Sequence, residues 1–212
     1  KGEMINGSYI YREGESLYQF YLTKYAGVDH ESGEAQYWAK DTDGAEYKTS
    51  DWSAAYNTNR QASGDLLPTI YGGIGTTLDF YGFDFSIQCA YQLGGKIYDS
   101  GYQALMHGGG SHDLGYNWHK DILNAWTPEN TNSDIPRIDA IDKYTNSSSD
   151  RWLTSSDYFA INNITLGYTL PQRWLRNLGI GSLRVYGAAD NVALFSARRG
   201  LDPRMSYTTA ST

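Results

Sequence analysis

Few side chains in this 212-residue sequence stand where chemistry would need them. Asp41-Thr-Asp43-Gly44-Ala-Glu46 spaces carboxylates around a glycine turn, a donor set that suits a hard cation such as calcium. The run lacks the full spacing of a calcium loop, so it reads as a solvated turn. His107 and His112 flank Gly-Gly-Gly-Ser, and three glycines give two imidazoles no fixed geometry, so a flexible loop is expected there rather than a ligand pair. Hydrolysis requires a nucleophile with its base, or two matched carboxylates. Asp99, Asp113, Asp121, Glu129 and Asp134 are scattered without such pairing, and no enzyme is expected. Asn6-Gly-Ser8, Asn146-Ser-Ser148 and Asn163-Ile-Thr165 match a glycosylation pattern and read as polar loop or strand positions. The stretch 96–157 is the better functional candidate. It mixes Tyr102, Trp118, Trp126 and Trp152 with Asn, Ser, Asp and Gly, a combination that stacks on sugar faces and hydrogen-bonds hydroxyl or peptide groups. Tyr102 and Trp118 are the candidate contacts for a substrate or partner; the alternative is a loop whose aromatics pack on one another, as is expected of Trp126.

Composition narrows the classes. Lys+Arg 17 against Asp+Glu 24 leaves a net charge of −7, and with no basic cluster a nucleic-acid partner is not expected. A hydrophobic share of 40% is too high for a disordered chain, and no apolar run approaches the ~18 residues of a membrane helix. Cys89 is the single cysteine, so an internal disulfide is excluded, and no Cys/His spacing resembles a zinc site. Tyr 19 and Gly 23 point to strands and turns.

The elements that position these residues are clearest between Ile70 and Leu93. Every second residue gives Ile70, Gly72, Ile74, Thr76, Leu78 and Phe80; beyond Tyr81-Gly82 it gives Phe83, Phe85, Ile87, Cys89, Tyr91 and Leu93. Period-two alternation on both sides of a two-residue turn predicts a hairpin. Pairing Phe80 with Phe83 sets Leu78 against Phe85, Ile74 against Cys89 and Ile70 against Leu93 on one apolar face, with Tyr91 placed to cover Gly72. The other face is small and polar, and on it Asp79 meets Asp84, a repulsion that water or a cation must relieve. Tyr158, Ala160, Ile164, Leu166, Tyr168 and Leu170 alternate with Phe159, Asn163, Thr165 and Thr169, with Asn162 interrupting the apolar row. Residues 171–179 read as one helical turn closed by Gly179, after which Leu183, Val185, Gly187 and Ala189 alternate with Arg184, Tyr186 and Asp190. Nearer the start, 17–26 is apolar on both faces, and Gly27 to Gly33 turns it back into 34–40.

Six antiparallel strands follow, at 17–26, 34–40, 70–80, 83–95, 158–169 and 183–191, in an all-β fold. Two architectures fit them. A soluble sandwich buries the apolar face against a second sheet. An outer-membrane barrel turns it to lipid, with strands of about 9–11 residues, short turns at one end and long loops at the other. The connections here alternate in that way, the long ones being 41–69 and 96–157. Aromatic residues gather near strand ends as in interfacial girdles: Phe80, Tyr81 and Phe83 at the short side, and Tyr91, Tyr98, Tyr102, Trp152 and Tyr158 at the long side. Bacterial barrels close with at least about 8 strands, so six leave edges that strands outside this sequence are expected to pair. A start without a signal segment and a polar finish at 207–212 also suggest a fragment.

Several blocks, read in order, carry a family resemblance. They are Tyr25-Ala-Gly-Val-Asp29 with Gly33-Glu34; Leu67-Pro-Thr-Ile-Tyr-Gly-Gly73 leading to Tyr81-Gly-Phe-Asp-Phe-Ser86; and Gln92-Leu-Gly-Gly-Lys-Ile-Tyr-Asp99. They continue with Asn117-Trp-His-Lys-Asp-Ile-Leu123, Trp126-Thr-Pro-Glu-Asn-Thr-Asn132 and Pro136-Arg137, then Ile164-Thr-Leu-Gly-Tyr-Thr-Leu-Pro171, and Leu183-Arg-Val-Tyr186 through Asn191 to Gly200-Leu-Asp-Pro203. Together they resemble the C-terminal part of SusC/RagA-type TonB-dependent outer-membrane transporters. The resemblance implies a plugged transmembrane β-barrel of about 22 strands with long extracellular loops. It implies a SusD-like surface lipoprotein as a lid, drive from the TonB-ExbB-ExbD complex through an N-terminal part, and import of oligosaccharide or peptide cargo, with no cofactor. Residues 1–212 would be the C-terminal part of that barrel, with the plug domain and the closing strand outside this sequence. The rival reading is a soluble β-sandwich carbohydrate-binding module, for which the same aromatics and acidic composition speak.

Overall fold

The computed structural model describes residues 2–110, 113, 115–142 and 144–205. His112 and the polar finish at 207–212 lie outside the described residues. In chain order the strands are β1 (Glu3–Asn6), β2 (Tyr9–Arg12), β3 (Gln19–Thr23), β4 (Tyr25–Val28), β5 (Ala35–Lys40), β6 (Glu46–Thr49), β7 (Arg60–Asp65), β8 (Ile70–Phe80), β9 (Phe83–Leu93), β10 (Lys96–Tyr98), β11 (Leu153–Ser155), β12 (Tyr158–Thr169) and β13 (Arg184–Ser196). The helices are short: α1 (Trp52–Thr58), α2 (Ser100–Leu105) and α3 (Gln172–Leu175). The sheet orders are β1-β2-β3-β7, β4-β5-β6, β10-β11 and β13-β12-β9-β8. Among the described residues no helix is long and apolar enough to cross a membrane, which bears on helical crossing alone.

Among the described residues there are thirteen strands against the six expected, with 34–40, 70–80, 83–95, 158–169 and 183–191 present as β5, β8, β9, β12 and β13. The stretch 17–26 splits at Lys24 into β3 and β4, which belong to different sheets. Its two apolar faces have that cause: Phe20 and Leu22 are buried from β3, while Tyr25 of β4 packs edge-on against Tyr37 at 5.7 Å. The stretch 41–69 is structured rather than loop. Asp41 accepts the Asp43 and Ala45 N–H groups at 3.0 and 2.9 Å, and this Asx turn folds β6 onto β5. Asp51 then caps α1 by accepting the Ser53 N–H at 2.9 Å, and β7 returns to pair with β3.

The chain forms two compact units. One takes the residues up to Leu67 together with Lys96–Thr154; the other takes Pro68–Gly95 with the described residues from Ser155 onward. In the first, the core comprises Ala35, Tyr37, Ala39 and Ala55, and separately Met106, Ile122 and Trp152.

The second unit is the four-stranded antiparallel sheet. Its β8–β9 register is the expected one, from Ile70 opposite Leu93 to Phe80 opposite Phe83. The turn residues Tyr81 and Gly82 both have positive φ, 48° and 87°, the geometry that matches the twist of a two-residue hairpin. A Cβ on Gly72 would lie 3.0 Å from the Tyr91 hydroxyl, so that ring covers the glycine. β12 corrects the expected parity. Ile161 pairs with Cys89 and Asn163 with Gln88, so Asn162 is an extra residue, a β-bulge. Phe159 and Ile161 consequently share the apolar face with Ile164, Leu166 and Tyr168, whereas Tyr158 and Ala160 turn to the polar one. The apolar face is uncovered: Ile70, Ile74, Leu78, Val185 and Phe195 are 54, 63, 54, 61 and 60% exposed. At the short-turn end it carries an aromatic row across three strands, Phe80–Phe83 at 5.7 Å and Phe83–Tyr168 at 4.5 Å. At the other end the expected girdle is partly wrong, since Tyr98, Tyr102 and Trp152 belong to the packed core of the first unit.

Candidate functional site

The long segment builds an aromatic site within the first unit. Asp99 starts α2 by accepting the Tyr102 N–H at 2.9 Å, while its own N–H donates to the Trp152 carbonyl at 2.9 Å. That geometry turns Tyr102 inward. Its ring meets Trp152 edge-on at 6.0 Å and His119 at 4.9 Å, and its hydroxyl donates to Asp121 Oδ2 at 3.0 Å. Trp118 is placed differently: it stacks on His107 at 5.1 Å, its Nε1 donates to the His107 carbonyl at 2.9 Å, and it stays 47% exposed. His107 is almost fully buried and its Nδ1 accepts the Gly109 N–H at 3.2 Å, so it supports the indole and is closed to solvent. Tyr116, Leu123 and Ile141 add exposed apolar surface in the same segment. The two candidate residues thus have different settings, Trp118 open to solvent and Tyr102 half-buried against the Met106, Ile122 and Trp152 core.

A second group, less evident from sequence, fixes the β4–β5 turn. Trp126 lies against Gly33, leaving no room for a Cβ there, and its Nε1 donates to the His30 carbonyl at 3.1 Å. Arg137 donates to the Ser32 carbonyl at 2.9 Å, to Glu34 at 3.2 Å and to Asp139 at 2.9 Å. The Asp139 carboxyl is held below its ordinary range, first by the Ile141 N–H and then by Arg137. Asp150 accepts the Tyr25 N–H at 2.8 Å but is pushed above its ordinary range, because burial disfavours its charge.

On the polar face of the sheet, Arg184 reaches across Gly167 and grips both oxygens of Asp84, at 2.9 and 2.5 Å. Gly167 lies directly between the strands of the pair, and a Cβ there would strike the Asp84 carboxylate. Arg184 is thus the cation that relieves the Asp79–Asp84 repulsion. The alternation of β13 put Arg184 on the right face, but without the β9-β12-β13 order nothing in the sequence linked it to Asp84. Further along, Asn163 donates to Asp190 at 2.7 Å and Thr165 to Asn163 at 3.1 Å. Among the described residues no three His, Cys, Asp or Glu side chains gather as a metal group. The groups present suit hydrogen bonding and stacking.

No family model matches the chain. TonB-dependent receptor P3 of Formosa agariphila (strain DSM 15362 / KCTC 12365 / LMG 23005 / KMM 3901 / M-2Alg 35-1) is 30% identical over 204 residues, 93% of this chain and 20% of the relative. TonB-dependent receptor P26 of the same organism is 24% identical over 143 residues, covering 68% of this chain and 14% of the relative. The chain therefore spans a fifth or less of the length of these curated relatives. Among solved structures, the RagAB peptide importer in the open-open state matches with a TM-score of 0.74 at 27% identity, covering 95% of this chain and 21% of that one. A structure of the RagAB peptide transporter matches with a TM-score of 0.69 at 28% identity, covering 88% of this chain and 20% of that one. Sequence kinship along almost the whole chain, together with the shared fold, makes this chain a member of the SusC/RagA-type TonB-dependent transporter family.

Proposed function

We propose that the β13-β12-β9-β8 sheet is a stretch of wall in a closed outer-membrane β-barrel, within an importer that takes up oligosaccharide or peptide with a SusD-like surface lipoprotein and the TonB-ExbB-ExbD complex. The single observation that carries this reading is the sheet's uncovered apolar face on strands of 11 to 13 residues. Eleven residues at about 3.3 Å each, tilted by about 40°, rise roughly 28 Å, close to the ~25 Å apolar band of such barrels. A sandwich would bury that face, whereas Ile70, Ile74, Leu78, Val185 and Phe195 each stay more than half exposed. The polar face, with Arg184 and Asp84, then lines the lumen. The connections leaving the Leu93 and Tyr158 ends are the extracellular ones. There Trp118 presents an indole to cargo or lipoprotein, and Tyr102 holds the loop from within through His119 and Asp121. The names of the matched structures support a peptide as cargo.

The test uses the full-length polypeptide. It should fractionate with outer membranes, fold in detergent or lipid, and co-purify with a surface lipoprotein; Trp118→Ala should weaken retention of that lipoprotein or of added peptide or oligosaccharide. A full-length product that is soluble, monomeric and folded would sink the proposal.

A further inference from the structure

We infer that the connection between β12 and β13 binds the phosphate headgroups of anionic phospholipid in the leaflet at the short-turn end of the barrel; this rests on the barrel reading above. Residues 171–183 contain Arg173 and Arg176 and no Asp or Glu. They fold as α3 followed by the 3-10 turn Arg176–Leu178, closed by Gly179 in the left-handed region. Leu175, 2% exposed, pins this turn to the unit. The rest of its apolar content points away: Trp174 is 56% and Leu178 69% exposed, with Ile180 and Leu183 also open. Arg173 lies 6.0 Å from the Trp174 ring, and among the described residues neither Arg173 nor Arg176 has an acidic partner, whereas the neighbouring Arg184 is held by Asp84.

Position supplies the occupant. The Thr169 N–H donates to the Gly82 carbonyl at 2.7 Å, and the Leu170 N–H to the Leu183 carbonyl at 2.9 Å, so this connection leaves the sheet at the same end as the Tyr81-Gly82 turn. Along the apolar face toward that end come aliphatic side chains and then the Phe80–Phe83–Tyr168 row, and the connection carrying Arg173, Trp174 and Arg176 leaves the sheet at that same end. That sequence follows a bilayer from acyl chain through the interface to phosphate. In water the turn would expose four large apolar side chains beside two uncompensated cations; an anionic interface accommodates both. Planar guanidinium also suits phosphate recognition.

The experiment takes the full-length transporter in detergent and titrates phosphatidylglycerol and, separately, phosphatidylcholine, reading bound lipid by native mass spectrometry. A heat-modifiable band on gels first verifies a folded barrel in each variant. In Arg173→Gln/Arg176→Gln, phosphatidylglycerol should bind about 30-fold more weakly, with phosphatidylcholine unchanged. Arg173→Lys/Arg176→Lys should retain most of the binding. Brominated phosphatidylglycerol should quench the fluorescence difference between wild type and Trp174→Phe. A folded double glutamine variant that keeps its full phosphatidylglycerol preference overturns the inference, as does tighter binding of outer-leaflet lipid A to this turn. A full-length protein that never enters membranes or detergent overturns the barrel reading itself.

Discussion

Ile74→Arg separates a lipid-facing sheet from a water-facing one. Ile74 is the fifth residue of the eleven in β8, opposite Cys89, and is 63% exposed. Gln88 lies one step along the ladder on the other face, opposite Gly75, and is also exposed. If both faces met water, arginine at either position would change stability by no more than about 0.5 kcal/mol, the usual range for surface substitutions. In a barrel the two diverge. Ile74 stands four residues from the nearer strand end, roughly 10 Å deep after tilt, where a basic residue costs about 2–4 kcal/mol. Gln88 faces the lumen, where water and the polar ladder solvate a cation, and Gln88→Arg should cost under about 1 kcal/mol. The assay is urea unfolding of the full-length protein from lipid vesicles, followed by tryptophan fluorescence and by the heat-modifiable band. Equal penalties for the two variants, or none for Ile74→Arg, would refute the assignment of faces.

Gly33→Ala combines a positive φ of 75° with a Cβ forced into the Trp126 ring, and should destabilise the first unit by about 1–3 kcal/mol in equilibrium unfolding. Trp152→Ala removes a buried indole and should cost about 3–5 kcal/mol, whereas Trp118→Ala should leave stability within about 1 kcal/mol and act on binding; the reverse order would invert the roles given to the two residues. Asp150 supplies a pH dependence. Its folded pKa is raised by burial, so its contribution to stability is fully present below the unfolded carboxylate pKa and is lost as pH rises through the folded value. Asp150→Asn should flatten that decline, and an unchanged profile would assign the dependence to another group.

Legibility varied with the kind of signal. The β8–β9 hairpin was readable because strict alternation and a two-residue turn fix register together, so even the Tyr91–Gly72 cover followed. Of the first sixty-five residues only the strand at 34–40, which is β5, was readable, since strands of four to six residues show too little period, and 17–26 looked like one strand when it serves two sheets. Asn162 was visible as an interruption, but the sequence alone did not show that the chain bulges there and flips Phe159 and Ile161 to the apolar face. Aromatic richness marked the long segment, yet whether a ring is buried like Trp152 or open like Trp118 depends on contacts far apart in the chain, such as Asp99 with the Trp152 carbonyl. Arg184 with Asp84, one hundred residues apart, needed the strand order.

The bulge at Asn162 also constrains how this stretch of the gene can change length. In β12 only odd-even position separates a side chain bound for the apolar face from one bound for the polar face. Deleting Asn162 would therefore act on every residue between it and the strand end, sending Phe159 and Ile161 to the side of Gln88 and exposing Tyr158 and Ala160 in their place. β13 carries its own irregularity at the same level, where Ala193 pairs with Ile161 and Asp190 with Asn163, and Asn191 there has a φ of 52°. A single-codon loss or gain in either strand should be rejected unless it arrives with a compensating one nearby, while the connection at 171–183 can lengthen or shorten one residue at a time. Insertion scanning of the full-length gene, read as membrane-assembled protein, would show that contrast directly.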